Sequence, residues 1–223
     1  MKSTFSGVIK AFMFDLDGTL AETIQDLGDS VNLALKDNGY PPHPIENYKK
    51  MVGNGFATLI RRALPPDADL DADGIERITA LAAETYGKNL LRTTKPFLGI
   101  PQVLRELSQR GCPLAVLSNK PHALTKKMVE RLFPDIPFVD FRGDSPGKAK
   151  KPFPGQALEI AGLVPLHVSD WAFVGDSGVD METGNSCGMT AIGVLWGYRG
   201  KEELLNAGAR LLVQNPEDLL LYI

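Results

Sequence analysis

The 223-residue chain, with 43% hydrophobic and 23% charged residues, is long enough for one large domain or a main domain carrying a smaller insert. A formal net charge of −3 gives no electrostatic pull toward nucleic acid or an anionic membrane. No apolar run approaches the ~20 residues that span a bilayer. Lys2 and a short apolar run open the chain without a small-residue cleavage site, and Cys112 and Cys187 lack metal-type spacing. A cytoplasmic protein with buried thiols is therefore the expectation.

Residues 8–14 are mostly apolar, rich in aromatic and β-branched side chains, and predict a strand buried on both faces. The strand ends on Asp15. Asp17 follows, Gly18 permits a tight turn, and Thr19 adds a small hydroxyl. Ile24, Leu27, Val31, Ala34 and Leu35 then recur at helical spacing, with Asn38-Gly39 as a stop. After the turn at Pro41, Pro42 and Pro44, a Lys-rich stretch leads to Val52-Gly53-Asn54-Gly55 and a helix through Leu59, Ile60 and Leu64. Pro65-Pro66 breaks the chain before a helix over about 71–91. No strand is expected between Leu20 and Lys95, so residues 21–95 read as an all-helical insert. Residues 1–20 and 96–223 then form one core.

From Pro96 strands and helices alternate. Helices are predicted over 101–110, 123–132 and 179–187, with another running from Pro154 to Gly162. Strands are predicted over 113–117, 138–141, 171–175, 190–195 and 211–214. Asn215-Pro216-Glu217 reads as an N-cap with proline at the first helical position. This alternation implies an α/β fold with a doubly wound parallel sheet and right-handed crossovers.

Three apolar strands finish in residues suited to phosphate or metal: Asp15/Asp17, Ser118/Asn119 and Asp176/Asp180. A parallel sheet brings all three ends to one edge, where open α/β sheets bind ligands. Lys151, in a Lys-rich loop, precedes the helix that leads into the Asp176 strand and can reach the same edge. A carboxylate is a competent nucleophile toward phosphorus. Mg²⁺ needs only two or three carboxylate or carbonyl oxygens beside a substrate phosphate. A hydroxyl, backbone N–H groups and an ammonium can hold the remaining phosphate oxygens. A second acid two residues away can protonate the leaving alkoxide and later deprotonate water. Each part has a plainer reading: an N-cap at Ser118, a solvated Lys-rich loop, a simple Gly-Asp-Ser-Gly turn. It is their order along the chain that favours the chemistry.

That constellation resembles the haloacid dehalogenase superfamily of phosphatases over almost the whole chain. Asp15-Leu16-Asp17-Gly18-Thr19-Leu20 resembles the first motif, Ser118-Asn119 the second, Lys151-Pro152 the third, and Gly175-Asp176-Ser177-Gly178-Val179-Asp180 the fourth. The resemblance implies a Rossmann-like core with a type 1 helical cap, Asp15 as nucleophile and Asp17 as acid/base. It also implies Mg²⁺ on Asp15, Asp176 and the Asp17 carbonyl. Gly18, Thr19, Ser118, Asn119 and Lys151 would hold phosphate, with Asp180 outside the direct ligands. The Lys-Pro pairing selects Lys151 over Lys150.

Thr23-Ile24-Gln25-Asp26-Leu27, Val52-Gly53-Asn54-Gly55, Ser118-Asn119-Lys120-Pro121 and Trp196-Gly197-Tyr198 are similar to phosphoglycolate phosphatases within that superfamily. Ala21-Glu22-Thr23, Asn185 and Ser186 depart from the subgroup's usual residues. The expected substrate is a small phosphorylated metabolite, 2-phosphoglycolate, whose carboxylate the cap loop at Gly53, Asn54 and Gly55 would grip. Pyrophosphate, a sugar or nucleotide phosphate, a sugar-phosphate mutase reaction and an idle binding module are the alternatives. A monomer or homodimer is expected, with neither nucleic acid nor membrane as partner. His43, His122 and His167 are scattered without ligand spacing.

Overall fold

The computed structural model describes residues 7–223, so Lys2 lies outside the described residues. In chain order come β1 (Ala11–Phe14), β2 (Ala21–Glu22), α1 (Ile24–Asp37), α2 (Ile45–Met51), α3 (Phe56–Ala63), α4 (Ala72–Asn89) and β3 (Lys95–Pro96). There follow α5 (Ile100–Gln109), β4 (Leu114–Pro121), α6 (His122–Leu132), β5 (Asp140–Asp144), α7 (Gly155–Ala161) and β6 (Trp171–Gly175). The chain ends with α8 (Gly178–Cys187), β7 (Thr190–Val194), α9 (Lys201–Asn206), β8 (Leu211–Val213) and a 3-10 helix, Pro216–Tyr222.

Six strands form one parallel sheet in the order β5-β4-β1-β6-β7-β8. β1 is central, and its alternating side chains explain its unbroken apolar run. Phe12 and Phe14 pack into one core with Val116, Val174 and Val103, while Ala11 and Met13 pack on the opposite face with Leu117, Phe173 and Ile160. The chain leaves β1 toward β4 on one side and leaves β6 toward β7 on the other. The switch point of the sheet therefore falls between the carboxyl ends of β1 and β6.

Helices α1 to α4 pack on one another as a helical cap: α1 lies against α2 and α4, and α3 against α2 and α4. Asp71 caps α4 by accepting the Gly74 N–H at 2.7 Å. Asn215 and Asp218 form a reciprocal capping box around the terminal 3-10 helix, as the Asn-Pro-Glu pattern predicts. Cys112 and Cys187 are both free, and burial raises both thiol pKa values, that of Cys187 to about 11. No helix among the described residues is long and apolar enough to cross a membrane.

Several boundaries differ from the sequence reading. β1 starts at Ala11 rather than Val8, which is 64% exposed. The N–H groups of Ile9 and Lys10 bond instead to the Tyr222 and Asp170 carbonyls. β4 runs on through Pro121, so Ser118, Asn119 and Lys120 lie within the strand rather than in a helix cap. β5 is displaced from 138–141 to Asp140–Asp144. The stretch from Leu20 to Lys95, expected to contain no strand, is closed at its two ends by a two-stranded antiparallel ribbon of β2 and β3. α9 was not expected at all; six residues hold too few apolar positions to reveal a helical period.

Candidate active site

β1 delivers Asp15 to the sheet edge, where its N–H continues the ladder to the Val174 carbonyl at 2.9 Å. The chain then turns tightly. The N–H groups of Thr19, Leu20 and Ala21 converge on the Leu16 carbonyl, and Gly18 takes φ +86°. A Cβ on Gly18 would strike the Asp176 carboxylate, so glycine here also lets the β1 turn approach the end of β6. The Thr19 hydroxyl approaches Asp176 Oδ1 at 3.4 Å, a long contact.

Lys151, on the loop before α7, is almost fully buried and donates from Nζ to Asp15 Oδ1 at 2.7 Å and Asp180 Oδ1 at 2.6 Å. Lys150 points elsewhere, to Asp144 at 2.7 Å. Asn119 holds the Lys151 backbone from both sides. Its Oδ1 accepts the Lys151 N–H at 2.9 Å, and its Nδ2 donates to the Lys151 carbonyl at 3.0 Å. Nδ2 also donates to the Gly53 carbonyl in the cap at 3.0 Å. The Asn119 amide is thus taken up positioning Lys151 and the cap loop. Ser118 Oγ accepts the Lys120 N–H at 3.3 Å and retains its own proton to donate.

Asp180 lies in the first turn of α8, where Oδ2 accepts from Ser177 N–H at 3.0 Å and Ser177 Oγ at 2.6 Å, completing a capping box. Both its oxygens are therefore engaged by protein. Asp176 Oδ2 accepts the Tyr198 N–H at 2.7 Å. Carboxylate oxygens of Asp15, Asp176 and Asp180 all lie within 4.8 Å of one another, and all three residues are buried. Asp17 lies outside this cluster. Its Oδ1 accepts from Lys120 Nζ at 2.6 Å, and no donor among the described residues reaches its main-chain carbonyl.

Burial pushes the Asp15 carboxyl up to about 7 against the pull of Lys151, and the nearby Asp180 and Asp17 add to the rise. Burial, then Asp180 and Asp15, also hold Asp176 well above the usual carboxylate range. Burial opposes the charge on Lys151, but Asp15 and Asp180 override it and keep the ammonium protonated. One lysine thus faces three buried acids, an excess of negative charge that a divalent cation relieves. The donors are hard oxygens, which suit Mg²⁺.

The cap closes over this edge. A small cavity of about 30 Å³ lies between Asp15, Asp17, Ser118 and Lys120 of the core and Val52, Gly53, Gly55 and Phe56 of the cap. Arg199 Nη2 donates to the cap carbonyls of Val52 at 2.9 Å and Lys50 at 3.2 Å. Asn54 sits between Gly53 and Gly55 in the lining loop, but its own side chain is not part of the lining. Lys120 and Tyr198 enter the sequence reading only inside motifs and without a role, and Arg199 is passed over. Only the Ser-Asn-Lys and Trp-Gly-Tyr-Arg adjacency marked them.

Comparison with known proteins bears on this arrangement. The model of the haloacid dehalogenase-like hydrolases matches residues 9–188. The chain belongs to that family. The hydrolase is 34% identical over 194 residues to a phosphoglycolate phosphatase of Nitrosospira multiformis, covering 85% of each chain. It is 32% identical to that of Chromobacterium violaceum, covering 95% of each. A crystal structure of a predicted phosphoglycolate phosphatase from Haemophilus somnus superposes with a TM-score of 0.87 at 28% identity, over 95% of this chain and 96% of that one. The hydrolase is thus a phosphoglycolate phosphatase-like phosphoric monoester hydrolase, and its acid-lined sheet edge is where such chemistry is to be sought.

Proposed function

We propose that this hydrolase is a Mg²⁺-dependent phosphatase that cleaves 2-phosphoglycolate through an aspartyl-phosphate on Asp15. The observation that carries the reading is Asp15 itself. It is a buried carboxylate at the switch point, with Lys151 on one oxygen and Asp17 two residues away, facing a cavity roofed by the cap. At about 30 Å³ the cavity between cap and core holds little more than a water, so the cap has to open for any substrate to enter. The names of the curated relatives support the same substrate. The two free thiols and the lack of a membrane-crossing helix among the described residues accord with a cytoplasmic setting.

In this reaction the Asp15 carboxylate attacks phosphorus in line with the ester oxygen. Asp17 gives a proton to the departing alkoxide, then takes one from the water that cleaves the acyl-phosphate. Lys151 and the Ser118 hydroxyl hold non-bridging phosphate oxygens, and Asn119 keeps Lys151 in place. Asp15, Asp176 and the free Asp17 carbonyl would hold Mg²⁺, which when bound neutralises phosphate charge and keeps Asp15 ionised. Asp180 orients Lys151. The cap excludes bulk water while the acyl-phosphate exists.

Phosphate release from 2-phosphoglycolate, pyrophosphate, glucose 6-phosphate and p-nitrophenyl phosphate, with Mg²⁺ and with excess chelator, tests the proposal. The expected result is release only with Mg²⁺ and highest kcat/KM for 2-phosphoglycolate. Full activity in chelator refutes the metal dependence. Preference for pyrophosphate or the hexose phosphate removes the substrate assignment.

A further inference from the structure

We infer that Lys120 is the residue that reads the substrate's carboxylate, making it the specificity-determining cation of the site. The inference rests on the proposal that the substrate is a small phosphorylated acid. Lys120 is 4% exposed and lines the cavity shared by core and cap. Its Nζ donates to Asp17 Oδ1 at 2.6 Å and to Tyr86 Oη, from cap helix α4, at 2.9 Å. An ammonium has three N–H donors. The third finds no hydrogen-bond acceptor among the described residues, although the ammonium also lies over the Tyr86 ring, 4.5 Å from its centroid.

Other cations near the cap loop have acceptors of their own, and Lys150 Nζ, although it would lie 2.9 Å from a Cβ on Gly55, is not among the residues lining the cavity. Lys49 pairs with Glu46 at 2.8 Å, Arg62 donates to the Met51 carbonyl at 2.8 Å, and Lys150 pairs with Asp144. Arg199 spends Nη2 on the loop carbonyls and does not line the cavity. Lys151 serves Asp15 and Asp180 at the nucleophile. Among the described residues, that leaves Lys120 as the one positive charge lining the space where the leaving group would sit.

Its distance from the chemistry selects the ligand. Asp17 has to reach the ester oxygen to protonate it, and Lys120 bonds Asp17. Lys120 Nζ therefore lies within two hydrogen-bond lengths, about 6 Å, of that oxygen, and an anion on Nζ within three, about 9 Å. A carboxylate one carbon away from the ester oxygen meets this requirement, whereas an uncharged alkyl group offers Lys120 nothing. Tyr86 comes from the cap, so the reading site is complete only when α4 is seated over the core.

The test compares kcat/KM for 2-phosphoglycolate and for ethyl phosphate, which has the same carbon count and no carboxylate, in wild type, Lys120→Met and Tyr86→Phe. Lys120→Met is expected to slow both substrates, because Asp17 loses its partner. The ratio between them should fall a further 10- to 100-fold, the effect of a hydrogen bond to a charged group. Tyr86→Phe keeps the ring and should lower the ratio about threefold by loosening the ammonium. Equal losses on both esters overturn the inference and leave Lys120 as a positioning residue for Asp17. A wild-type enzyme without preference for 2-phosphoglycolate removes both the substrate proposal and this inference. A wild-type preference that survives in Lys120→Met removes this inference alone. Should Lys120→Met melt early, Tyr86→Phe carries the same comparison, and an unchanged ratio there overturns the inference.

Discussion

Single side chains in this site divide by what their neighbours leave free. Asp15 has one oxygen on Lys151 and, among the described residues, no donor on the other, whereas both oxygens of Asp180 are held by Lys151 and Ser177. The first is available to react, the second to hold a lysine. Asp15→Asn replaces the attacking oxygen in a nearly isosteric side chain, so turnover should fall at least ~1000-fold. The thermal melt should still show a folded protein. Asp17→Asn should be comparably slow in turnover yet leave some phosphoenzyme detectable by acid quench. Near-wild-type turnover in Asp15→Asn would refute the aspartyl-phosphate mechanism.

Between elements, the feature that stands out is how the cap is tied at its hinge. Asp26 in α1 is 1% exposed, and its carboxylate accepts from the N–H and hydroxyl of both Thr93 and Thr94, at 2.6 to 3.1 Å. These bonds fasten the start of the cap to the chain just before β3, beside the ribbon through which both connections pass. Burial alone would raise the Asp26 pKa, but the Thr93 and Thr94 donors outweigh it and hold it below the ordinary value. A depressed folded pKa contributes stability that is fully present above the unfolded pKa, about 3.9, and is lost as pH falls through the folded value. Asp26→Asn turns an amide N–H₂ against these donors and should cost about 3 kcal/mol. For a chain of this size that lowers the melting temperature by about 6–12 °C. The gap from wild type should be constant between about pH 8 and 5 and narrow below about pH 4. A gap that persists unchanged in acid would assign the loss to packing instead.

At the scale of the molecule, cap and core meet over the cavity through a few polar contacts: Asn119 on the Gly53 carbonyl, Arg199 on Lys50 and Val52, and Lys120 on Tyr86. Such contacts can be broken and remade without disturbing either core, as a site that admits substrate and then excludes water requires. The metal acts on the whole fold in a different way. Three buried acids against Lys151 strain the core until a cation arrives, so Mg²⁺ at about 100 times its Kd should stabilise the protein by ~2.7 kcal/mol. The melting temperature should rise by about 5–10 °C and return on chelation. Asp176→Asn should abolish the rise. A wild-type melting temperature indifferent to Mg²⁺ would refute the site.

The sequence by itself determined the elements whose information is local. β6 is found at 171–175 as expected, because a strand buried on both faces is a continuous apolar run ended by a polar turn. The acids after β1 and β6, and the glycine turn at Gly18, are legible for the same reason, and a parallel sheet then brings them to one edge. What only the tertiary structure decided depends on pairs remote in the chain. The β2–β3 ribbon has two residues per strand, too few for any period, and exists because the two connections to the cap must run side by side. Thr19 meets Asp176, and Asn119 meets Lys151 and Gly53, because the fold brings these partners from other elements within reach. Lys120 meets Asp17 across 103 residues and Tyr86 across 34, so the motif around it shows where it stands in the chain but not what it bonds. A side chain's partner is set by where the fold places the opposite charge, and that placement is a property of the packed sheet and cap rather than of any stretch of sequence.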